Sequence, residues 1–465
     1  MFSRRSRAAL LGSMALLACF PPSAKADELS ALKDEITRLQ NRLEPNGSQE
    51  GHGSAAPAGS VSVIRGRGVS GAWKTDRAGD IAPDEGGLTI LVTPSADLPS
   101  PLHEVTLSGY VKGDVIYDFD EDLGDEFDYG RITRSRQRGH ARLHARQTRF
   151  SIKSNSETSV GVIRTLIEGD FFGKDETDFR LRHAWGEWDA TPQLTFGAGQ
   201  HWRNFMSPFT GISTVDFNGD AGLIGWARSP QLRLTWQSGP ATAALSVENP
   251  TGAKDLAAYG SDFSPDAKRQ KPAGAADTLP DIAARLQYDL PGGHQLLASG
   301  MMRNYHVARI GDQQADDALG WGVQGAVNVS VADPVLLTAS VMYGEGLGNY
   351  VLGAPFGAFT RNGKIQLVPQ LGLFAGTSIL LSDTTTLNLG WGYLDQKDAD
   401  IVASGARNAT VDLMSVHANV IWQPVQQLRL GAEVMWGQRE HTTGNPDEKQ
   451  TDEAWRGQFG AWFFF

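Results

Sequence analysis

Cysteine is almost missing from this chain: the one copy, Cys19, falls inside the first twenty residues. A protein so poor in thiols has no disulfide framework and no cysteine chemistry once that leader is gone. After the leader there is also no uninterrupted apolar run of 18 residues, so no segment qualifies as a spanning helix, which takes roughly 20. Positive charge is short as well, with 42 Lys and Arg against 53 Asp and Glu and a net of −11. That balance argues against nucleic acid as a partner. With helical spans excluded, one route into a membrane remains, a closed β-barrel whose strands alternate apolar and polar faces. What is abundant agrees: 53 Gly, 20 Phe and 12 Trp.

The N-terminus carries an address. Arg4, Arg5 and Arg7 precede an apolar run from Ala8 to Phe20, and Ala24-Lys25-Ala26 follows. This is the layout of a secretory signal peptide spanning 1–26. Cleavage after Ala26 removes Cys19 and four cationic residues, which takes the net charge from −11 to −15. Leu16-Leu17-Ala18-Cys19 competes as a lipoprotein-type box, although Leu17 and Phe20 fit it badly.

Residues 27–44 have a helical period instead. Leu29, Leu32, Ile36, Leu39 and Leu43 are spaced 3, 4, 3, 4, the seam of a coiled coil. Two heptads are marginal alone, so the seam expects other copies of itself; the alternative is a helix lying on its own barrel. Residues 45–103, rich in Gly, Ser, Ala and Pro, read as a linker. Within it Gly66, Gly68 and Gly71 match a dinucleotide fingerprint, but no periodic helix follows and the match is rejected. Leu88 to Thr93 has the composition of a short extra strand with no assigned place.

From 104 to 465 the pattern is all-β. Short turns at Ser154–Glu157, Asp189–Pro192, Gln237–Gly239, Pro291–Gly293, Ala332–Pro334, Ser382–Thr384 and Gln423–Gln426 interleave with longer polar loops. Seven turns and eight loops give about 16 antiparallel strands. Leu107, Val111, Val115, Tyr117 and Phe119 share one face of the first strand, with Ser108, Lys112 and Asp114 on the other. The last strand places Phe459, Phe463 and Phe465 on one face and Arg456 and Gln458 on the other. Ending on an aromatic inside a strand is expected of a barrel whose last strand pairs with its first, and these phenylalanines are expected to signal to the barrel-assembly machinery. The expected location is the bacterial outer membrane, in contact with lipid and lipopolysaccharide, with the N-terminal segment in the periplasm.

A barrel of this size keeps an aqueous channel, so the sign of its lining matters. Alternation turns Arg164, Glu168, Asp170, Arg180, Arg182, Arg233 and Arg285 inward, opposite a face that includes Phe179, Leu181 and Trp185. Between Arg142 and Lys153 the phase set by Leu143 and Ala145 conflicts with that of Phe150 and Ile152. A bulge near Gln147-Thr148 reconciles them and turns Arg142, Arg146, Arg149 and Lys153 inward. Two readings stay open. The arginines form a positive filter for anions, or each pairs with Glu168, Asp170 or Asp114 and braces the wall.

Arg146-Gln-Thr-Arg-Phe150, Ile167-Glu-Gly-Asp-Phe-Phe172, Phe179-Arg-Leu-Arg-His-Ala-Trp-Gly186, Gly199-Gln-His-Trp202 and Thr214-Val-Asp-Phe-Asn-Gly219 occur in that order. With the N-terminal heptads, their order resembles the DcaP-like porins of Gram-negative outer membranes across nearly the whole mature chain. The resemblance implies a homotrimer of sixteen-stranded barrels with a periplasmic coiled coil, passing small anions, dicarboxylates among them. The long linker, Trp185 and His201 depart from it and leave the solute open.

The loop from Trp202 to Ala221 holds Arg203, Asn204, Phe205, Met206, Phe209, Asp216 and Phe217, too apolar to stand in water. It folds into the channel as a constriction or packs between subunits. No serine has a patterned histidine partner, so an enzyme is not expected and neither is a cofactor. His183 and Glu187 lie about 13 Å apart on one strand face, too far to chelate. Asp118, Asp120, Asp122 and Gly124 resemble a calcium loop, but Tyr129 stands where its twelfth-position Glu belongs; a solvated acidic loop is expected. Two functions remain: a passive porin with anion preference, or an envelope tether whose barrel is only an anchor.

Overall fold

The structure, a computed structural model, describes residues 59–65, 87–93, 103–133, 138–175, 178–225, 227–257, 272–309, 311, 314–404, 406–443 and 448–465. The expected signal peptide with Cys19, and the heptad residues 29–43, lie outside the described residues. Among the described residues, no helix is long and apolar enough to cross a membrane.

The barrel begins with β3 (His103–Asp118), β4 (His140–His144), β5 (Arg149–Thr158), β6 (Gly161–Asp170), β7 (Arg180–Asp189) and β8 (Leu194–Trp202). It continues with β9 (Arg228–Ser238), β10 (Ala241–Glu248), β11 (Asp281–Leu290), β12 (His294–Val307) and β13 (Asp316–Ala332). β14 (Val335–Glu345), β15 (Pro369–Ser382), β16 (Thr385–Gln396), β17 (Thr410–Val425), β18 (Leu428–Thr442) and β19 (Lys449–Phe464) complete it. Each pairs antiparallel with its sequence neighbour, and β19 returns to β3, with Phe459 opposite Val115 and Phe463 opposite Val111. Phe465 and Gly109 exchange both backbone hydrogen bonds, each 3.1 Å. Closure leaves no edge along the wall, the condition for a sheet in lipid.

β4 and β5 are one interrupted strand, so the barrel has 16. Asp114 pairs with His144 and Tyr110 with Arg149. Three residues of β3 therefore face four residues, 145–148, and the surplus residue is the bulge. Leu143 and Phe150 both point outward across it, at 74% and 39% exposed.

Strand alternation divides the wall. Val111, Val115, Leu232, Leu234, Val323, Val341, Val434 and Phe459 stand exposed outside, whereas Lys112, Asp114, Arg233, Gln324, Glu433 and Gln458 are buried inside. Outward aromatics gather at both ends, Trp188, Trp236, Tyr288 and Trp422 near the short turns and Tyr117, Trp321, Tyr343 and Trp391 near the long loops. Such girdles bound the apolar band of a membrane barrel.

Three expectations need correction. The stretch 45–103 is not all linker: β1 (Val61–Arg65) and β2 (Leu88–Val92) form a hairpin whose second strand pairs with β3, Leu88 opposite Leu107 and Val92 opposite His103. β3 runs past the end of β19, and the hairpin takes over its free edge; Thr89 and Thr106 hydroxyls meet there at 2.9 Å. The turn expected at Ser154–Glu157 lies beyond it, because β5 continues to Thr158 opposite Gly161. Its polar residues are still ladder residues, and Ser154 and Thr165 hydroxyls pair across it at 2.6 Å. Trp185 faces inward, at 2% exposed, for a reason given below.

Candidate functional site: the lumen and its arginines

Inward-folded loops, those after β3, β8 and β14 among them, pack together in the barrel interior. The loop 203–227 after β8 crosses the lumen and bonds to the opposite wall. Val215 and Asp216 backbone N–H groups donate to Glu433, Ala221 N–H donates to the Ser415 hydroxyl, and Asn419 donates to Ser213 O. Phe205 and Met206 are buried against Tyr350, while Phe217 stacks on Phe172 at 4.3 Å between centroids; Phe209 is half-buried. Arg203 lies 4.0 Å over the Tyr350 ring. The loop is thus on the inner wall, not an outer face. Glycines let it approach: a Cβ on Gly392 would sit 2.2 Å from Ala221 O, and one on Gly222, itself at φ +72, 2.0 Å from Tyr393 O.

The loop between β3 and β4 is not the solvated acidic loop expected. Leu123, Phe127, Tyr129 and Ile132 are buried in the same cluster, and the Tyr129 hydroxyl donates to Gly219 O at 2.8 Å. Its carboxylates turn onto arginines. Asp122 takes Arg142 at 2.8 and 3.0 Å, Asp125 takes both Arg142 and Arg146, and Asp118 takes Arg456 at 2.6 and 3.0 Å. Burial pushes the Glu126 carboxyl on this loop up to about 7, with the Asp216 and Asp128 carboxylates adding to the effect.

The first half of the arginine stripe is braced. Arg180 grips Asp170 with two bonds, 2.9 and 2.8 Å, and Arg182 holds Glu168 at 2.8 Å and Asp170 at 3.0 Å. Arg149 lies 3.7 Å from Glu168, and Arg164 bonds Asp189 at 2.6 Å. Lys153 is buried on the same inner face. Charge is nearly balanced there.

Further round the wall the arginines are held differently. Arg233 is buried and, among the described residues, donates to neutral groups, the Gln231 side chain and Trp202 O, with Glu248 and Glu187 near but not hydrogen-bonded to it. Arg285 is buried, and no ion pair or hydrogen bond reaches it among the described residues. Both flank the first residues of the crossing loop, where Asn204 donates to Ala244 O and Ala283 O.

A bulge sets the remaining geometry. Glu168 pairs with His183 but Gly169 with Leu181, so Arg182 and His183 both turn inward, followed by Trp185 and Glu187. The flip buries Trp185 beside Leu166, where a strict period of two had put it outside. It also brings His183 against His201, with ring centroids 4.6 Å apart. Plain alternation misses this pair. The signal that finds it is two polar residues in succession, Arg182-His183, in a strand whose neighbours are apolar.

A family model described as the porin subfamily matches residues 105–459. The chain belongs to the porin subfamily. It is an outer-membrane porin, a channel and not an enzyme. Its fold is similar to the outer membrane channel DcaP of Acinetobacter baumannii, at 23% identity over 78% of this chain and 97% of that one, TM-score 0.67. It is also similar to the trimer form of OmpT from Vibrio cholerae (13% identity, 78% and 99% covered, TM-score 0.51). An anion-selective porin from Comamonas acidovorans compares at 12% identity, 78% and 100% covered, TM-score 0.51. No curated protein matches the chain.

Proposed function

We propose that this porin passes small anionic solutes, dicarboxylate-like ones among them, by passive diffusion. In this reading it is a homotrimer, assembled by the barrel-assembly machinery beside lipopolysaccharide, with the heptads of 27–44 coiled together in the periplasm. One observation carries the anion preference: Arg233 and Arg285 stand in the lumen beside the crossing loop and, among the described residues, no carboxylate is hydrogen-bonded to either. A guanidinium keeps its charge at any working pH, and in a narrow, low-dielectric passage that charge reaches further than in bulk water. The braced arginines, by contrast, contribute little net field.

Reversal potentials of the purified protein in a potassium chloride gradient test this. Chloride should be favoured, and Arg285→Glu with Arg233→Glu should move the preference towards potassium. The shift should shrink in concentrated salt, because the Debye length falls to about 3 Å at 1 M. A potassium-preferring pore whose reversal potential ignores both changes would sink the reading.

A further inference from the structure

On four of the five successive wall strands β7 to β11, His183 (β7), His201 (β8), Arg233 (β9) and Arg285 (β11) converge behind the crossing loop. Both histidines are fully buried, and among the described residues none of their four ring nitrogens has a hydrogen-bond partner. The rings face each other at 4.6 Å, tilted by 50°, with Trp202 5.1 Å from His183 and Trp185 5.2 Å from His201. Arg182, Arg228 and Arg149 surround His183, and Arg233, Arg285 and Arg228 surround His201. Of the carboxylates in reach, Glu168 is held by Arg182, Glu248 by Asn204 N–H and the Ser246 hydroxyl, and Glu187 by the Trp185 indole N–H at 3.1 Å through one oxygen, its other oxygen lying 3.6 Å from Arg164. Buried polar atoms are normally satisfied, and a cluster that is not marks a place where something else binds. Two imidazoles ringed by guanidinium groups repel a metal cation. They suit an anion.

The imidazoles also say which kind. A neutral histidine presents one N–H donor and one bare nitrogen that accepts. Two of them offer donors and acceptors together, so a bare anion serves only half of the four nitrogens. We propose that His183, His201, Arg233 and Arg285 form a binding site for an oxyanion that carries its own O–H, of the hydrogen-phosphate or hydroxy-acid class. The proposal rests on the anion-preferring porin reading and narrows it. Arginine forks take the unprotonated oxygens, the imidazole N–H groups take another, and the ligand's O–H donates to a bare ring nitrogen. Arg228, 4.6 Å over the Trp202 ring beside the pair, is a long jointed side chain that can swing aside without opening the wall.

Inorganic phosphate and sulfate separate the two halves of this claim, since at about pH 8 both are dianions of similar size and only phosphate keeps a proton. The histidines are neutral there. In planar bilayers of the full-length protein with fixed chloride, phosphate should reduce the chloride current at concentrations about tenfold lower than sulfate, as expected of a site built to bond a hydroxyl. Replacing both histidines, His183→Leu with His201→Leu, should erase that difference while chloride stays favoured over potassium. His201→Gln, which can still donate and accept, should keep it, and Arg285→Gln should weaken both ions alike with their ratio unchanged. These last two variants decide the matter if the double leucine variant does not assemble. Equal block by phosphate and sulfate in a chloride-preferring wild type overturns this site alone. A potassium-preferring wild type overturns the anion reading beneath it.

Discussion

At the scale of single residues, the lumen sorts its cations by what they touch. Arg456 is buried, bonds Asp118 twice, lies 3.2 Å from Asp216 and donates to Gly124 O at 2.6 Å. It ties both inward loops to β19. Arg456→Ala would strand two buried carboxylates, a change that costs about 3–5 kcal/mol, and should loosen both loops. Single-channel recordings should then show larger and noisier conductance. Glu126 supplies a pH handle. Its pKa of about 7 is above the ordinary carboxyl value, so the group loses its charge as pH falls through 7. Removing a negative charge beside the entrance arginines should raise chloride preference between pH 8 and pH 6. Reversal potentials measured at the two pH values should show this, and Glu126→Gln should flatten the change. The same raised pKa makes the fold slightly more stable on the acid side of 7, since the native state binds the proton that the unfolded chain releases.

Elements respond to their two faces differently. Val434 sits mid-strand on β18, outward and 51% exposed. Val434→Arg should destabilise the barrel by about 2–4 kcal/mol, the cost of an arginine at the bilayer midplane, visible as an earlier midpoint in urea unfolding from lipid vesicles. The crossing loop depends instead on the glycines beneath it. Gly392→Val places a side chain where Ala221 O lies 2.2 Å from the Cβ position. The wall cannot yield there, so the loop must lift, and conductance should rise with the barrel still assembled. These responses follow from element placement that the sequence showed only in part. Strand alternation and the bulge at 145–148 were legible because conflicting apolar phases announce them. The bulge at Arg182-His183 leaves only two successive polar residues as its mark, because its place is defined by the register with β6.

For the whole molecule, closure is the controlling event. Phe465 exchanges two hydrogen bonds with Gly109, and the β1–β2 hairpin continues from there along β3. Removing Phe465 should lower the yield of barrel in the outer membrane while leaving the selectivity of any assembled pore unchanged. Quantifying folded protein by its heat-dependent gel mobility checks the first part. Cross-linking in detergent addresses the proposed trimer, which residues 27–44 should reinforce. Their deletion should weaken oligomers without altering reversal potential, whereas a protein acting as a tether would lose envelope integrity instead.

The sequence by itself determined the barrel: period-two alternation, turn chemistry and the missing helical span are local properties that hold wherever the strands pair. Its alternation also set the expectation that Arg149, Arg182, Arg233 and Arg285 turn inward, and all four are buried. Only the tertiary structure decided which of these are spent on carboxylates. Arg182 meets Glu168 and Asp170 because β6 and β7 pair in one register, while Arg285 faces Ala244 on one side and Ser299 on the other, neither of them a carboxylate. It alone folded the acidic loop inward, since burying Leu123, Phe127 and Ile132 against the crossing loop outweighs the solvation of the carboxylates between them. Charge bracing and loop burial are contacts between segments far apart in sequence, and no periodicity along the chain encodes them.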